Sequence, residues 1–439
     1  MDYSTREQRG WYVYDWANSA FYTTVVAVLL GPYLTAIAKS AADANGNVSF
    51  FGLSVAAQSV WPYSVSLSVL LQVFFLPIVG AYADYGHKKR QLLGVLTVLG
   101  ASATIALYFV EGTAFMTGVL LYLAANVFYG CCITVYNSFL PEIAPPDQRD
   151  SVSARGWAIG YFGGGLLLAI NLWMYSNAEK LGMTAGQAVR VGLASAGVWW
   201  LAFSVVTMLT LRNRTPAKAP PHGESAMAAA IKQLLHTLGQ LKHYPQTLLF
   251  LAAYLVYNDA IQTVFAMASQ FGAEELKMST ADLTEAILMV QFVAFGGAIA
   301  FNWVAGWLGS RRTIMITLAI WIFAVALMYF WVYSVRQFYI AAAIVAMVMG
   351  GSQALSRSLF SFMIPKGQEA EYYSVYEISD KGTSWLGPLF FGAALSLTHN
   401  FRIAIVSLIV FFVAGLVLLA RVDVGRAARE AGNEPPGIL

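Results

Sequence analysis

The chain has 439 residues, of which 58% are hydrophobic and 11% are charged, and its mean hydropathy is +0.61. This composition excludes an ordinary soluble domain and is typical of a helical membrane protein. The net charge of +3 is small and gives no reason to expect a nucleic-acid partner.

Twelve stretches of the chain are long and apolar enough to cross a bilayer, because a spanning helix needs roughly 20 mostly apolar residues. Each stretch ends at charged residues, proline or glycine. The predicted helices 1 to 12 cover residues 11–37, 60–83, 91–110, 115–140, 153–175, 190–211, 247–271, 285–308, 312–333, 337–363, 373–397 and 402–421. The sequence therefore predicts an all-α membrane protein with twelve transmembrane helices.

The longest polar segment separates the first six predicted helices from the last six. We expect an N-terminal bundle over residues 1–211, a cytoplasmic linker over 212–246, and a C-terminal bundle with a short tail over 247–439. Within the linker, residues 226–240 could form a short helix on the membrane surface. The two halves also resemble each other weakly, as in SFLP at 138–141 and FMIP at 362–365. Duplicated six-helix halves are typical of alternating-access transporters, whose substrate site lies between the halves.

Lysine and arginine are distributed unevenly between the two sides of this topology. Seventeen lie on the side of both termini, and six lie on the other side. Because cytoplasmic loops collect these residues, we expect both termini in the cytoplasm and a multi-pass protein of the bacterial inner membrane. We expect it to act as a monomer in the lipid bilayer.

Helix 7 carries three polar residues, Asn258, Asp259 and Gln262, in an otherwise apolar stretch. Asp259 lies on the order of 18 Å into the helix at 1.5 Å per residue. An unpaired charge there costs at least about 3 kcal/mol, so the carboxylate faces a cavity, has a partner or is protonated. We interpret the three residues as a cavity-facing stripe, with Asp259 as a proton-coupling or substrate-amine site. A structural hydrogen bond between helices is the alternative.

Helix 1 carries a corresponding stripe at spacings of three and four, Asp15, Asn18 and Tyr22. Asn18 and Tyr22 are candidate substrate contacts. Asp15 is a second candidate for proton coupling, although stabilisation by the helix dipole would also explain it. Four amides in other spans could line the same cavity or tie helices together: Asn126, Asn137, Gln291 and Gln353.

Three cations lie within predicted spans, and all three are in the cytoplasmic part: Arg155, Arg357 and Lys381. Arg357 suits a substrate carboxylate, because its own helix offers no obvious partner. A gating role for Arg357 is an equal alternative. We expect Arg155, Glu377, Asp380 and Lys381 to form ion pairs between the inner ends of the halves, broken and made during the transport cycle.

The loop between helices 2 and 3 reads GAYADYGHKKR over residues 80–90. Gly80 and Gly86 allow a close helix approach and a tight turn, and Asp84 can face the positive N-terminal end of a neighbouring helix. The basic run that ends at Arg90 would hold the loop at the inner headgroups. We expect these four residues to act in gating. The corresponding loop of the second half, 305–312, has no carboxylate at the position of Asp84, so a one-sided latch is predicted.

This loop resembles the motif of the major facilitator superfamily. Within that superfamily, YDWANSAF at 14–21, YNDAIQT at 257–263 and GGSQALSRS at 350–358 resemble the vacuole-effluxer family, and the similarity extends over essentially all twelve helices. The resemblance implies two pseudo-symmetric six-helix bundles and a transporter. The fungal namesake of the family is associated with amino-acid efflux after autophagy. In the superfamily, the loop aspartate acts as a latch that stabilises one conformation.

We therefore expect a secondary transporter of a small polar solute, with amino acids as the leading substrate and protons as the coupling ion, and with no cofactor. One alternative is a proton-driven exporter of a larger amphipathic compound, such as a drug or siderophore. A second is a membrane sensor that does not transport. An enzyme is not expected, because all five histidines fall in predicted loops or the linker and no phosphate-binding loop is present.

Overall fold

The computed structural model describes residues 4–85, 88–214, 239, 243–278, 280–381, 386–398 and 400–438. The first half contains six membrane helices, numbered α1 to α6. Their bounds are Thr5–Ser40, Val60–Tyr85, Lys89–Ala106, Phe115–Asn137, Arg149–Ser176 and Ala185–Thr210. The middle of α1, Phe21–Leu29, is π-helical. An antiparallel hairpin of β1, Asn47–Phe50, and β2, Leu53–Ala56, connects α1 to α2.

The second half contains α7 to α12. The first four are Pro245–Glu275, Thr280–Leu308, Ser310–Phe330 and Val335–Ser361. The structure describes α11 over Glu369–Lys381 and Leu386–Thr398, and α12 consists of two segments, Phe401–Ser407 and Ile409–Ala420. Short helical turns lie at Ala57–Ser59, Leu107–Phe109, Leu140–Ile143, Pro146–Gln148, Glu179–Leu181 and Val424–Glu430.

The prediction of a twelve-helix membrane protein is confirmed. Eleven helices in the described ranges are long and apolar enough to cross a bilayer, and the two segments of α11 occupy the place of the remaining predicted span. The first helix begins earlier than expected, at Thr5. One face of its first turns packs inside the protein: the Gln8 side chain donates to the Ile143 carbonyl at 3.0 Å, while Arg6 and Arg9 on the other face are exposed. The expected surface helix over 226–240 lies outside the described residues, apart from Gly239.

The buried apolar side chains form two separate clusters, one in each half. Large aromatic residues are central to both clusters, such as Trp200 in the first half and Trp321 in the second. Two residues cross over: Ala370 of α11 packs on the first cluster, and Tyr161 of α5 packs on the second. Each half therefore has its own apolar core.

Both ends of the chain lie on one face of the molecule, which we call the terminal face. Near the N-terminus, Glu7 pairs with Arg214, just after α6, at 3.1 Å. Near the C-terminus, Asn433 donates to the carbonyl of Phe362, just after α10, at 3.0 Å. An even number of membrane crossings requires this arrangement.

Candidate functional site

A cavity of about 370 Å³ lies between the two halves. Side chains from α1, α2, α4 and α5 line it on one side, and side chains from α7, α8, α10 and α11 line it on the other. Its volume is within the range of small-molecule sites. Three charged residues line it within the described part of the chain, namely Asp15, Arg357 and Glu377.

Arg357 and Asp15 form an ion pair across the halves. Nη1 and Nη2 of Arg357 each lie 3.3 Å from Asp15 Oδ2, and the two residues are 3% and 7% exposed. Nε donates to Ser153 Oγ at 2.9 Å, and Nη2 donates to the Ser153 carbonyl at 2.8 Å. The sequence singled out both charged residues but did not pair them.

Aromatic rings enclose the same guanidinium. Its central carbon lies 4.7 Å from the ring centre of Trp11, 5.3 Å from that of Trp157 and 5.9 Å from that of Tyr136. Such contacts stabilise a cation that has left water. A buried ion pair has to offset the loss of hydration of both charges, and it does so only when further hydrogen bonds and contacts satisfy them. The guanidinium of Arg357, on the second half, is thus held by side chains of the first half.

Two further hydrogen bonds join the halves at the cavity wall. Asn137 of α4 donates from Nδ2 to Glu377 Oε1 of α11 at 2.9 Å. The Tyr161 hydroxyl of α5 donates to Gln353 Oε1 of α10. Asn137 also lies near Arg357, with Oδ1 3.4 Å from Nη1, so the charged end of the cavity is one connected polar network.

Most of the amides predicted from the sequence are found at this cavity. Those that line it, together with Tyr22, are Asn18, Asn126, Asn137, Gln262, Gln291 and Gln353. The expected stripe on helix 7 is wrong for its first two members, because Asn258 and Asp259 are 0% and 1% exposed and do not line the cavity. The face of α7 that carries them packs on neighbouring helices.

Asp259 lies against the second segment of α11. A Cβ added at Gly387 would come within 3.0 Å of Asp259 Oδ2 and 2.0 Å of Thr263 Oγ1. Gly387 is the second residue of the Leu386–Thr398 segment. The Asp259 carboxylate is therefore packed closely against the α11 backbone at Gly387.

Asp84 joins the halves at the terminal face. Its Oδ1 accepts a hydrogen bond from the Ala370 N–H at 2.9 Å, and its Oδ2 accepts one from the Glu371 N–H at 2.8 Å. These N–H groups belong to the first turn of α11, so the carboxylate faces a helix N-terminus as predicted. Gly80 permits the approach, since a Cβ there would lie 2.5 Å from the Ala370 carbonyl oxygen. The gating role of both residues stays a prediction.

Lys89 also belongs to this contact, although the sequence analysis did not single it out. Its Nζ lies 2.7 Å from Glu142 Oε1 and 3.7 Å from Asp84 Oδ1. Arg90 differs from expectation, because it bonds within its own half, donating from Nη1 to the Leu211 carbonyl at 3.2 Å. The basic residue beside Asp84 is therefore Lys89 and not Arg90.

A second polar contact between the halves lies at the N-terminus of α5. The Asp150 carboxylate accepts hydrogen bonds from the hydroxyls of Ser310 and Ser358. Beside it, Arg149 donates from Nη1 to the Ser361 carbonyl at 3.0 Å. The carboxylate of this contact comes from Asp150 of the first half, and Ser310, the first residue of α9, supplies a hydroxyl. The one-sided latch stays a prediction.

The other predicted gating residues have different outcomes. Arg155 is exposed and lies near the Tyr12 hydroxyl of its own half, and its ion pair across the halves stays a prediction. Gly86 lies outside the described residues, as do the side chains of Asp380 and Lys381. Glu377 does bond across the halves, as described above.

Among the cavity residues that the sequence analysis missed are Gln72, Trp157 and Tyr161. Gln72 is the one amide in predicted helix 2, a signal of the same kind as the amides that were chosen. The two aromatic residues give no such signal, because tyrosine and tryptophan are common at lipid-facing positions.

The chain matches one described protein family and is similar in sequence to several known proteins. A model of the family described as vacuole effluxer Atg22 like matches residues 3–432. The MFS-type transporter YxiO of Bacillus subtilis (strain 168) is 28% identical over 420 residues, which cover 95% of this chain and 94% of YxiO. Autophagy-related protein 22 of Yarrowia lipolytica is 26% identical over 470 residues, which cover 88% of this chain and 79% of that protein.

Solved structures with the same fold are transporters of the major facilitator superfamily. The proton:xylose symporter XylE has a TM-score of 0.69 at 13% identity, covering 95% of this chain and 96% of that one. The transporter FucP, in the outward conformation, has a TM-score of 0.64 at 16% identity, covering 93% and 98%. At these identities the likeness establishes the fold.

Proposed function

Because this chain belongs to the Atg22-like vacuole effluxer family of major facilitator transporters, we propose that it carries amino acids across the membrane by alternating access. The observation that carries the proposal is the charged end of the cavity, where Asp15, Arg357 and Glu377 meet. A free amino acid has a carboxylate and an ammonium group in close proximity. The three side chains offer a partner for each.

In this mechanism the substrate replaces protein contacts. The substrate carboxylate replaces Asp15 as the partner of the Arg357 guanidinium, and the substrate ammonium group binds Asp15 or Glu377. Charge-assisted hydrogen bonds of this kind are shorter and stronger than neutral ones. Because the Asp15–Arg357 pair also ties the two halves together, binding that breaks the pair favours separation of the halves at the terminal face. A ligand shifts such an equilibrium only through a difference in affinity for the two states.

The described state is closed at the terminal face. The hydrogen bonds of Asp84 and Asp150 and the pair of Arg357 with Asp15 all join the halves at, or on the terminal-face side of, the cavity. We propose that residues 1–211 and 247–439 rock as two bodies and that these contacts break when the terminal face opens. Gly80, through its contact with the backbone of Ala370, belongs to the same gate.

We propose that transport is coupled to protons and that Asp259 carries the coupling proton. The residue is 1% exposed at mid-membrane depth, where an unpaired carboxylate is costly. A purely structural role, as a hydrogen-bond acceptor where α7 packs on α11 at Gly387, is the competing interpretation. Asp259→Asn separates the two: loss of proton-driven accumulation with retention of substrate exchange supports proton coupling, and full pH-driven transport removes Asp259 from this role.

The excess of lysine and arginine at the terminal face supports a cytoplasmic location for that face. We propose a monomeric, multi-pass protein of the bacterial inner membrane, without a catalytic activity. Its relatives and structural neighbours are transporters.

The test is uptake of a panel of radiolabelled amino acids into proteoliposomes, with and without an imposed proton gradient. We expect at least one amino acid to enter above the level of protein-free vesicles. Arg357→Gln should lower kcat/KM by at least about tenfold, because a hydrogen bond to a charged group is lost. Arg336→Gln is the matched control, since Arg336 is exposed at the other end of α10 and does not line the cavity, and it should transport like the wild type.

The absence of flux for every amino acid, with protein shown to be folded, would contradict this proposal. One observation then favours a larger amphipathic compound as substrate, namely the aromatic residues of the cavity lining. They are Tyr22, Tyr122, Tyr129, Trp157, Tyr161, Tyr254, Phe265 and Tyr376. A proton-driven flux of aromatic cations or siderophores in the same vesicles would establish that second function.

A further inference from the structure

One wall of the cavity carries a carboxamide whose two polar atoms are both unsatisfied. Gln72 lies near the middle of α2 and is 1% exposed, and it lines the cavity. Within the described part of the chain, neither its Nε2 nor its Oε1 has a hydrogen-bond partner. Buried amides are normally paired, so an unpaired one at a cavity wall points to a ligand.

A second carboxamide lies beside it. The Gln72 carbonyl packs against Gly130 of α4, since a Cβ added there would come within 2.4 Å of Oε1. Asn126 lies one turn earlier on the same face of α4 and also lines the cavity. Its Nδ2 donates to Ser68 Oγ at 2.8 Å, which fixes the orientation of the amide. We call Gln72 and Asn126 the amide wall.

The amide wall belongs to the first half alone and is separate from the charged end. Gln72 is three helical turns from Asp84, which marks the terminal face on the same helix, whereas Arg357 is about one turn from the end of α10 at that face. A substrate whose charged groups bind at Asp15 and Arg357 therefore extends its side chain toward the middle of the membrane, where the amide wall lies.

The two unsatisfied atoms of Gln72 have a specific complement. A ligand carboxamide or similar group can donate an N–H to Oε1 and accept from Nε2 at the same time. An apolar side chain in the same place leaves both atoms unpaired and dry, which weakens its binding. Sites that hydrogen-bond a substrate group discriminate strongly against analogues that lack the group.

We propose that the amide wall is a side-chain subsite that selects amino acids with a neutral hydrogen-bonding side chain, a carboxamide above all, over apolar ones. This inference rests on the proposed transport of amino acids and names the class within it. Gln72 donates to the carbonyl oxygen of the substrate side chain and accepts from its amide nitrogen, and Gly130 keeps the space that this orientation needs.

The test compares asparagine with leucine, which have nearly the same shape and differ in the hydrogen-bonding groups. Uptake into proteoliposomes gives kcat/KM for both substrates in the wild type, in Gln72→Met and in Gly130→Ala. The matched control is Gln148→Met, because Gln148 is exposed at the start of α5. We expect the wild type and the control to prefer asparagine by at least about tenfold.

Gln72→Met should lower kcat/KM for asparagine by at least about tenfold while leaving leucine unchanged or faster. Gly130→Ala should reduce the preference in the same direction, because the added methyl group displaces the Gln72 carbonyl. An equal fall in kcat/KM for both substrates, or an unchanged preference for asparagine, overturns the proposed subsite. So does a wild type that carries leucine as well as asparagine, a result that leaves the amino-acid proposal standing. Absence of flux for every amino acid overturns both proposals, and the wild-type preference is measured whether or not a variant folds.

Discussion

The guanidinium of Arg357 on α10 lies 3.3 Å from the Asp15 carboxylate on α1, so one buried ion pair joins the two halves of the molecule. The same two side chains line the cavity. A residue pair in this position is both a contact between the halves and a part of the proposed binding site, and its removal should affect stability and transport differently.

We predict that Asp15→Ala lowers the free energy of unfolding by about 3–5 kcal/mol, because it strands the buried charge of Arg357. The double variant Asp15→Ala, Arg357→Met should recover most of that stability, since no unpaired charge remains, yet it should not transport. Thermal or chemical unfolding in detergent, with uptake in vesicles, checks both statements. A double variant no more stable than Asp15→Ala would show that the pair is not the reason for the loss.

The contact of Asp84 with the first turn of α11 should stabilise the closed terminal face. Asp84→Ala removes the acceptor of two backbone N–H groups and should cost the closed state about 1.5–3 kcal/mol per charged hydrogen bond. The readout is maleimide labelling of a cysteine placed at the buried Ala370, with Cys131 and Cys132 replaced by alanine. Labelling should be faster in Asp84→Ala than in Asp84→Asn, which keeps one acceptor oxygen. Equal labelling rates in all three proteins would contradict this prediction.

Asp150 should act as a second latch, in which two serine hydroxyls of the second half, rather than backbone N–H groups, donate to the carboxylate. Ser310→Ala and Ser358→Ala should each speed labelling of the terminal face, since each removes a donor to Asp150. In an Asp150→Ala background neither serine change should have a further effect. This double-mutant cycle measures the coupling directly. Effects of the serine changes that persist without Asp150 would show that the serines act through other contacts.

Two adjacent glycines of α8 give a matched pair for the packing of α8 on α10. A Cβ at Gly297 would lie 2.1 Å from the Met347 carbonyl oxygen, whereas a Cβ at Gly296 has nothing within 4 Å. Gly297→Ala should therefore destabilise the protein by about 1–3 kcal/mol through overpacking. Gly296→Ala should be neutral or stabilising by about 0.5–1 kcal/mol, because alanine favours the helix. Thermal unfolding in detergent compares them, and equal melting temperatures would refute the close contact.

The fold was predictable from the sequence because hydrophobicity over some twenty residues is a local property. The start of α1 was missed for the opposite reason. Arg6 and Arg9 suggested an end to the apolar stretch, but Gln8 between them bonds to the Ile143 carbonyl, a contact that only the folded chain creates.

The candidate site was predictable residue by residue but not as an arrangement. Asp15 and Arg357 stand out as charges within spans, yet which side chains of α1 and α10 meet depends on the tilt and rotation of both helices. The same dependence explains why Asp259 does not line the cavity, although its spacing from Gln262 suggested that both residues face it. The two residues are three positions apart on α7, and the packing of α11 on α7 at Gly387 covers the first and leaves the second at the cavity.

Within the described chain, each hydrogen bond that joins the halves lies at the cavity or between the cavity and the terminal face. An empty carrier in this state has no ligand to offset the loss of those bonds, so we expect its reorientation to be the slow step of the proposed cycle. A loaded carrier exchanges one set of partners for another and should cross more easily. Vesicles preloaded with substrate should therefore exchange it faster than empty vesicles accumulate it.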